Sequence, residues 1–258
     1  MMRRRNALAA VGAAAVAALL PGRVAAQSCV TASGQPCGPR RNAVAQAPQP
    51  APMSEAAQDF YTAIMRDNYK DVMTWLLRGF NPNTPDDRGR TPLTLAMRQD
   101  SWRVVDTLLQ SPATDVNLPN RQNETPLMMA AIKGNLEVVK KLVARKADVN
   151  REGWTPLHYA ASAGLEHSVE IAAYLLEHHA YIDATSPNGS TPLMLAAQYS
   201  SEGMVNLLLK EGADVMLRNQ QGWGALEFAQ KSERDFMVKL IGEHLRKGRA
   251  TPGKKASW

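Results

Sequence analysis

The sequence predicts an all-α repeat solenoid of about six stacked helix-turn-helix units joined by β-turn or hairpin loops. Three observations carry this expectation. The string Thr-Pro-Leu-x-x-Ala occurs at residues 91–96, 125–130, 155–160 and 191–196, with starts 34, 30 and 36 residues apart. A degraded copy, Gly224-Ala225-Leu226-Glu227-Phe228-Ala229, begins 33 residues after Thr191. Self-similarity at such a period marks a stacked array, whose units bury their apolar faces only against their neighbours. The composition, 45% hydrophobic and 21% charged, excludes a wholly disordered chain.

Each part of the unit has a physical reason. Thr suits a helix N-cap, and Pro suits the first helical position, where a missing N–H costs nothing. The Leu and Ala that follow fall on the buried side of a first helix. The alanine pairs Ala130-Ala131, Ala160-Ala161 and Ala196-Ala197 allow neighbouring helices to approach closely. Gly89, Gly153, Gly189 and Gly222 stand two residues before the Thr position, where a left-handed turn residue is wanted. Asn123, at the same place, is the next most tolerant residue type. Residues 134–143, Gly-Asn-Leu-Glu-Val-Val-Lys-Lys-Leu-Val, read as a second helix. Asp115-Val116-Asn117, Asp148-Val149-Asn150 and Asp214-Val215 read as the exit that follows it.

These residues resemble the ankyrin-repeat family, whose unit of 33 residues carries a Thr-Pro-Leu-His-x-Ala signature. The resemblance extends to both ends. Residues 71–77 align on residues 103–109, so residues 54–83 form a first repeat without its Thr-Pro-Leu start. A degenerate last repeat carries the apolar residues Phe236, Val238, Leu240, Ile241 and Leu245. Terminal repeats of a solenoid are expected to be atypical. Two irregularities are local. The repeat starting at Thr155 predicts a longer second helix, over residues 166–176. The connection from Asn150 to Thr155 is three residues shorter than that from Asp183 to Thr191.

The domain organisation follows: 1–26 a signal peptide, 27–53 a disordered Pro/Ala/Gln-rich tether, 54–245 the repeat domain, and 246–258 a basic disordered tail. Arg3, Arg4 and Arg5 precede an apolar run of 14 residues ending at Leu20, and Val24-Ala25-Ala26 offers a small-residue cleavage site. The run is shorter than the roughly 20 residues that span a bilayer. Arg4-Arg5 raises twin-arginine export as an alternative to the general route. Either implies a periplasmic or secreted protein. Cys29 and Cys37 lie in the tether, where an oxidising compartment would allow a local disulfide, a candidate bridge that the sequence leaves open.

Charge points the same way. The formal net charge is +6 and the pI about 9.4, which raises nucleic acid as a partner. Yet all 24 acids lie between Glu55 and Glu243 with only 19 of the 30 basic residues, so the repeat segment is net −5. The excess of positive charge sits in the signal and the flexible ends. The expectation is therefore no nucleic-acid partner.

Motifs for chemistry are lacking in the sequence. It contains no Walker loop, no Gly-x-Ser-x-Gly, no His-Glu-x-x-His and no Cys-x-x-Cys. His158 falls at the signature His of the family, where the resemblance implies a brace for the turn. His179 replaces the usual glycine at a helix end, beside His178; His167 and His244 lack ligand spacing. Asp86, Asp115, Asp148 and Asp214 suit local turn hydrogen bonds. Met128-Met129 reads as core filling. No catalytic, cofactor-binding or metal residue is expected, and no cofactor.

What remains is the surface. The resemblance implies that turn tips and the exposed side of the first helices form a binding face, with contact residues at the variable positions. In this chain the candidates are Arg88, Arg90, Arg98, Gln99, Arg121, Glu124, Lys133, Trp154, Tyr199, Trp223 and Lys231. Arginine, tryptophan and tyrosine dominate binding energy at protein interfaces. The expected function is a monomeric, non-enzymatic module that binds a partner protein in the periplasm or outside the cell. The alternative is an exported effector or toxin-like protein acting on a host or competitor protein.

Overall fold

The computed structural model describes residues 53–250. The expected signal peptide and nearly all of the expected tether, with Cys29 and Cys37, lie outside the described residues, as do residues 251–258. Among the described residues the chain forms helices and no strand. These are α1 (Glu55–Met65), α2 (Tyr69–Leu77), α3 (Pro92–Arg98), α4 (Trp102–Gln110), α5 (Pro126–Ile132) and α6 (Leu136–Ala144). They continue with α7 (Pro156–Ala163), α8 (Ser168–Glu177), α9 (Pro192–Tyr199), α10 (Glu202–Lys210), α11 (Ala225–Lys231) and α12 (Asp235–Ala250). Each odd helix packs on the even helix that follows it, giving six pairs.

The helix starts follow from the Thr-Pro step. Thr125, Thr155 and Thr191 are N-caps in extended conformation, and each side chain accepts the N–H three residues on. Thr91 caps without that bond; its hydroxyl pairs with Thr94 Oγ1 at 2.7 Å. Pro stands at the first turn of α3, α5, α7 and α9. Ser54 caps α1 and accepts from the Ala57 amide, so the first unit starts its helix by other means.

The first helices form one row, α1-α3-α5-α7-α9-α11, in which each packs on the next. The second helices form another, with α2 on α4, α6 on α8 and α8 on α10. The core lies between the rows: Leu93, Leu108, Leu127, Leu142, Leu157, Leu175, Leu193 and Leu208 are all buried. First helices pack most closely from α5 to α11, the stretch containing the alanine pairs at 130–131, 160–161 and 196–197, all fully buried. Close approach follows from having only a methyl group between the backbones.

Turns join successive units, four of them hairpins. In four of the five, one polar side chain organises the loop from within. Oδ1 of Asp86 accepts from the amides of Arg88 and Arg90, that of Asn120 from Gln122 and Glu124, and that of Asn219 from Gln221 and Trp223. Ser186 Oγ accepts from the Ser190 amide. Gly89, Asn123, Gly189 and Gly222 follow at φ of 69°, 62°, 78° and 78°, the left-handed geometry expected of these positions. The third turn, residues 151–154, lacks this hairpin. Its three missing residues leave Asn150, a residue of the preceding exit, where the organising side chain would stand.

A second device links the exits. Asn83 accepts the Asp115 amide at 2.8 Å and donates to Ala113 O at 2.8 Å. Asn117 does the same to Asp148 and Lys146, and Asn150 to Tyr181 and His179. The fourth rung is Asp183, which accepts from the Asp214 amide at 3.0 Å. At the fifth position stands Met216, half exposed.

Two expectations change. The repeat starting at Thr155 does not gain a turn of second helix: α8 has ten residues and begins only at Ser168. The extra length is loop, because Gly164 ends α7 at φ 61° and Ser168 Oγ accepts the Leu165 amide, stopping an earlier start. The last helix, α12, runs to Ala250, so the first five residues of the expected disordered tail are helical; Pro252 follows two residues later, a helix stop. Phe236, one of the apolar residues of the last repeat, is 49% exposed, and the Arg234 guanidinium lies 5.2 Å from its ring centroid.

Candidate partner-binding surface

The expected contact residues fall on the hairpin turns and on the outward side of the first helices, but they do not form one uniform set. Arg88, Gln99 and Arg121 are exposed. Arg121 donates its amide to Gly89 O at 2.9 Å, which fixes the second turn against the first. Arg90 is committed inward: its Nε donates to Asp86 Oδ2 at 2.6 Å, and Asp86 is buried.

Glu124 departs most from expectation. It is buried, and its carboxylate accepts from Asn120 Nδ2 at 2.7 Å, Arg98 at 2.8 Å and the Tyr159 hydroxyl at 3.2 Å. A buried carboxylate that accepts from three donors orients the side chains around it. Arg98, Glu124 and Tyr159 thus join α3, the turn before α5, and α7 in one network. Burial, with the neighbouring Glu124 charge, pushes the Tyr159 phenol well above its ordinary range. Lys133 belongs to the same neighbourhood, donating to Arg98 O at 3.0 Å and pairing with Asp100 at 2.9 Å.

The aromatic candidates face out to different degrees. Trp154 is 41% exposed, with its ring edge-on to His158 and Tyr159. Tyr199, at the end of α9, is 46% exposed. Trp223 is half-buried, edge-on to Phe228, and the Lys231 ammonium lies 4.3 Å from its ring centroid, a cation–π contact along α11.

Two residues join this surface that were not among the candidates. Tyr159 occupies an x position of Thr-Pro-Leu-x-x-Ala, where nothing local marks it as networked. Arg218 lies six residues before Gly224 and bonds Gly222 O at 2.7 Å and Glu227 at 2.9 Å. Burial pushes the Glu227 carboxyl up, but hydrogen bonds from Arg218 and from the amides of Glu227 and Gly224 outweigh it and hold the carboxyl below its ordinary value.

His158 sits where it was expected. It is fully buried, with Nε2 3.0 Å from Ser190 O and Nδ1 accepting the Thr155 amide at 3.2 Å. A neutral ring protonated on Nε2 satisfies both contacts. Burial pulls its pKa down to about 4, against the raising effect of the Ser190 and Ala184 carbonyls. Among the described residues no group of three His, Cys, Asp or Glu is placed to hold a metal ion, and no helix is long and apolar enough to cross a membrane.

Paired helices, Thr-Pro starts and turn tips define an all-α repeat scaffold. The family profile described as "Ankyrin repeats (3 copies)" matches residues 60–152, 103–186 and 167–250. The chain belongs to the ankyrin-repeat family. Ankyrin repeats generally mediate protein–protein interaction, and the family is typically non-enzymatic. Relatives include the transient receptor potential cation channel subfamily A member 1 of Homo sapiens, 29% identical over 60% of this chain and 15% of its own length. Ankyrin repeat and SAM domain-containing protein 6 of Mus musculus is 32% identical over 48% and 14% respectively. Neurogenic locus notch homolog protein 1 of Mus musculus is 33% identical over 58% and 6%. The match thus spans 15% or less of each of these relatives.

Proposed function

We propose that this chain is an exported, non-enzymatic module that captures a partner protein in the periplasm or outside the cell. It does so through its turn tips and the outward side of its first helices. The observation that carries the reading is the set of exposed or half-exposed aromatics on that side, Trp154, Tyr199 and Trp223, each adjoining a turn or helix end. Such residues bring large contact area at little entropic cost. The export part rests on residues 1–26, with their charged start, apolar middle and small-residue end.

The test is crosslinking and pull-down of the full chain from a periplasmic extract of its native host. Trp154→Ala and Trp223→Ala should each weaken capture by about tenfold or more, in line with interface hot spots, while leaving the helical circular dichroism spectrum intact. Undiminished capture by both variants sinks the aromatic-anchor idea. Recovery of the protein from culture medium, with none in the periplasm, would instead favour an effector acting on a foreign protein.

A further inference from the structure

The third turn is the shortest of the five, and this has a consequence on the surface. Where the other four connections project a full hairpin, residues 151–154 pass directly from the exit of one unit to the N-cap of the next. The space left is a cleft whose walls come from four successive turns. Asn123 of the second turn, Arg151 and Glu152 of the third, Pro187 of the fourth, and Arg218 and Gln220 of the fifth all line it.

The seams on its two sides are unlike. The fifth turn is stitched to the fourth: the Gln220 amide donates to Asn188 O at 3.0 Å and its side chain to Pro187 O at 2.9 Å. The position matching Gln220 in the fourth turn is Pro187, which has no N–H to offer the third. The cleft therefore opens beside the seam that backbone hydrogen bonding cannot close.

Two guanidiniums, Arg151 and Arg218, line the cleft with one exposed carboxylate, Glu152, and Arg218 is also paired with Glu227 at 2.9 Å. Both guanidiniums are held in place. Arg151 donates to Asn123 Oδ1 at 2.7 Å, and Arg218 is held by Gly222 O and Glu227. Each contact uses some of the five N–H donors of the guanidinium and leaves others for a ligand. A positioned, partly unsatisfied guanidinium matches the planar geometry of a carboxylate. Trp154 stands on the same shortened turn, beside the cleft.

We propose that this cleft receives an acidic segment of the partner protein, one of its side-chain carboxylates meeting Arg151 and another meeting Arg218. The proposal rests on the reading of the turns as a partner-binding surface, and its test is independent of finding the native partner. The probe is a fluorescent peptide of alternating glycine and glutamate, blocked at both ends, titrated against the full chain by anisotropy. The control is the same peptide with glutamine for glutamate.

The glutamate peptide should bind at least about tenfold more tightly than the glutamine peptide, the worth of one charge-assisted contact. Arg151→Gln with Arg218→Gln should abolish that preference. Because those arginines also hold Asn123 and Glu227, a second variant keeps the test open should the first unfold. Glu152→Gln removes the carboxylate that lines the cleft and should tighten binding of the glutamate peptide by about two- to threefold. Equal binding of the two peptides, no binding of either, or indifference to Glu152→Gln overturns the proposal. So does a stronger preference for a single-stranded oligonucleotide. Failure of the extract pull-down with an arginine-dependent glutamate preference would remove the proposed function and leave the cleft standing; the reverse result would remove only the cleft.

Discussion

His158 stands at a position that the five repeats from the second onward solve in four ways. Thr94 reaches back to Thr91 with a hydroxyl, while Met128 and Met194 place sulfur 3.4 Å from the amides of Thr125 and Thr191. Glu227 accepts the Gly224 amide at 2.9 Å. Only His158 also reaches the next turn, at Ser190 O, and only it is a buried base. Its folded pKa of about 4 lies below the ordinary value of 6.5, so the unfolded chain takes up the proton first. Stability from the neutral ring is fully present above pH 6.5 and is lost as pH falls toward 4, by up to about 3 kcal/mol. His158→Met, the solution of two sibling repeats, should flatten the fall of the urea midpoint across that range. A midpoint that falls as steeply in the variant as in the wild type would show that another group sets the acid sensitivity.

At the scale of elements, the exits form a ladder whose chemistry weakens along the chain. Asn83, Asn117 and Asn150 each both accept and donate, since an amide carries both functions. Asp183 only accepts, and the carbonyl that an asparagine would bind at this rung, Gly212 O, loses that donor. Burial and the nearby Asp214 charge push the Asp183 carboxyl above its ordinary value, despite the Asp214 amide it accepts. A raised carboxyl means that ionisation costs stability as pH rises past the ordinary value. Asp183→Asn should therefore raise stability at neutral pH by about 1 kcal/mol, one added hydrogen bond, with the gain shrinking below the carboxylate range. Melting curves at two pH values read this directly, and a lower melting temperature at pH 7 contradicts it. Met216, at the fifth rung, has neither an amide nor a carboxylate, so the ladder stops at Asp183.

Across the described repeats, stability should be a sum over neighbours. The middle first helices have a partner on each side and the alanine-lined contacts, whereas α1 and α11 have a first-helix neighbour on one side only. The terminal second helices are also looser: Leu77 is 81% exposed, and α12 shows Phe236 to solvent. Native-state hydrogen exchange should find the slowest amides in α5, α7 and α9 and the fastest helical amides in α2 and α12. Uniform protection along the stack would mean that the repeats unfold as one unit and that nearest-neighbour summation does not apply.

The repeat number, the helix starts and the left-handed turn positions were legible in the sequence because each depends on residues a few places apart. A Thr cap needs the amide three residues on, a proline needs only its own ring, and a glycine at positive φ needs only its own backbone. Outcomes at the variable positions depend instead on residues roughly 30 places away, one repeat over. Nothing local distinguishes Arg98 from Arg88 or Glu124 from Glu152. Yet Glu124 is buried because Arg98 and Tyr159 reach it from the repeats on either side, while Glu152 stays exposed beside a truncated hairpin. The three-residue shortening before Thr155 was visible as a number. That it opens a cleft between arginines 67 positions apart in the chain was decided by stacking, which brings side chains together by repeat register rather than by sequence distance.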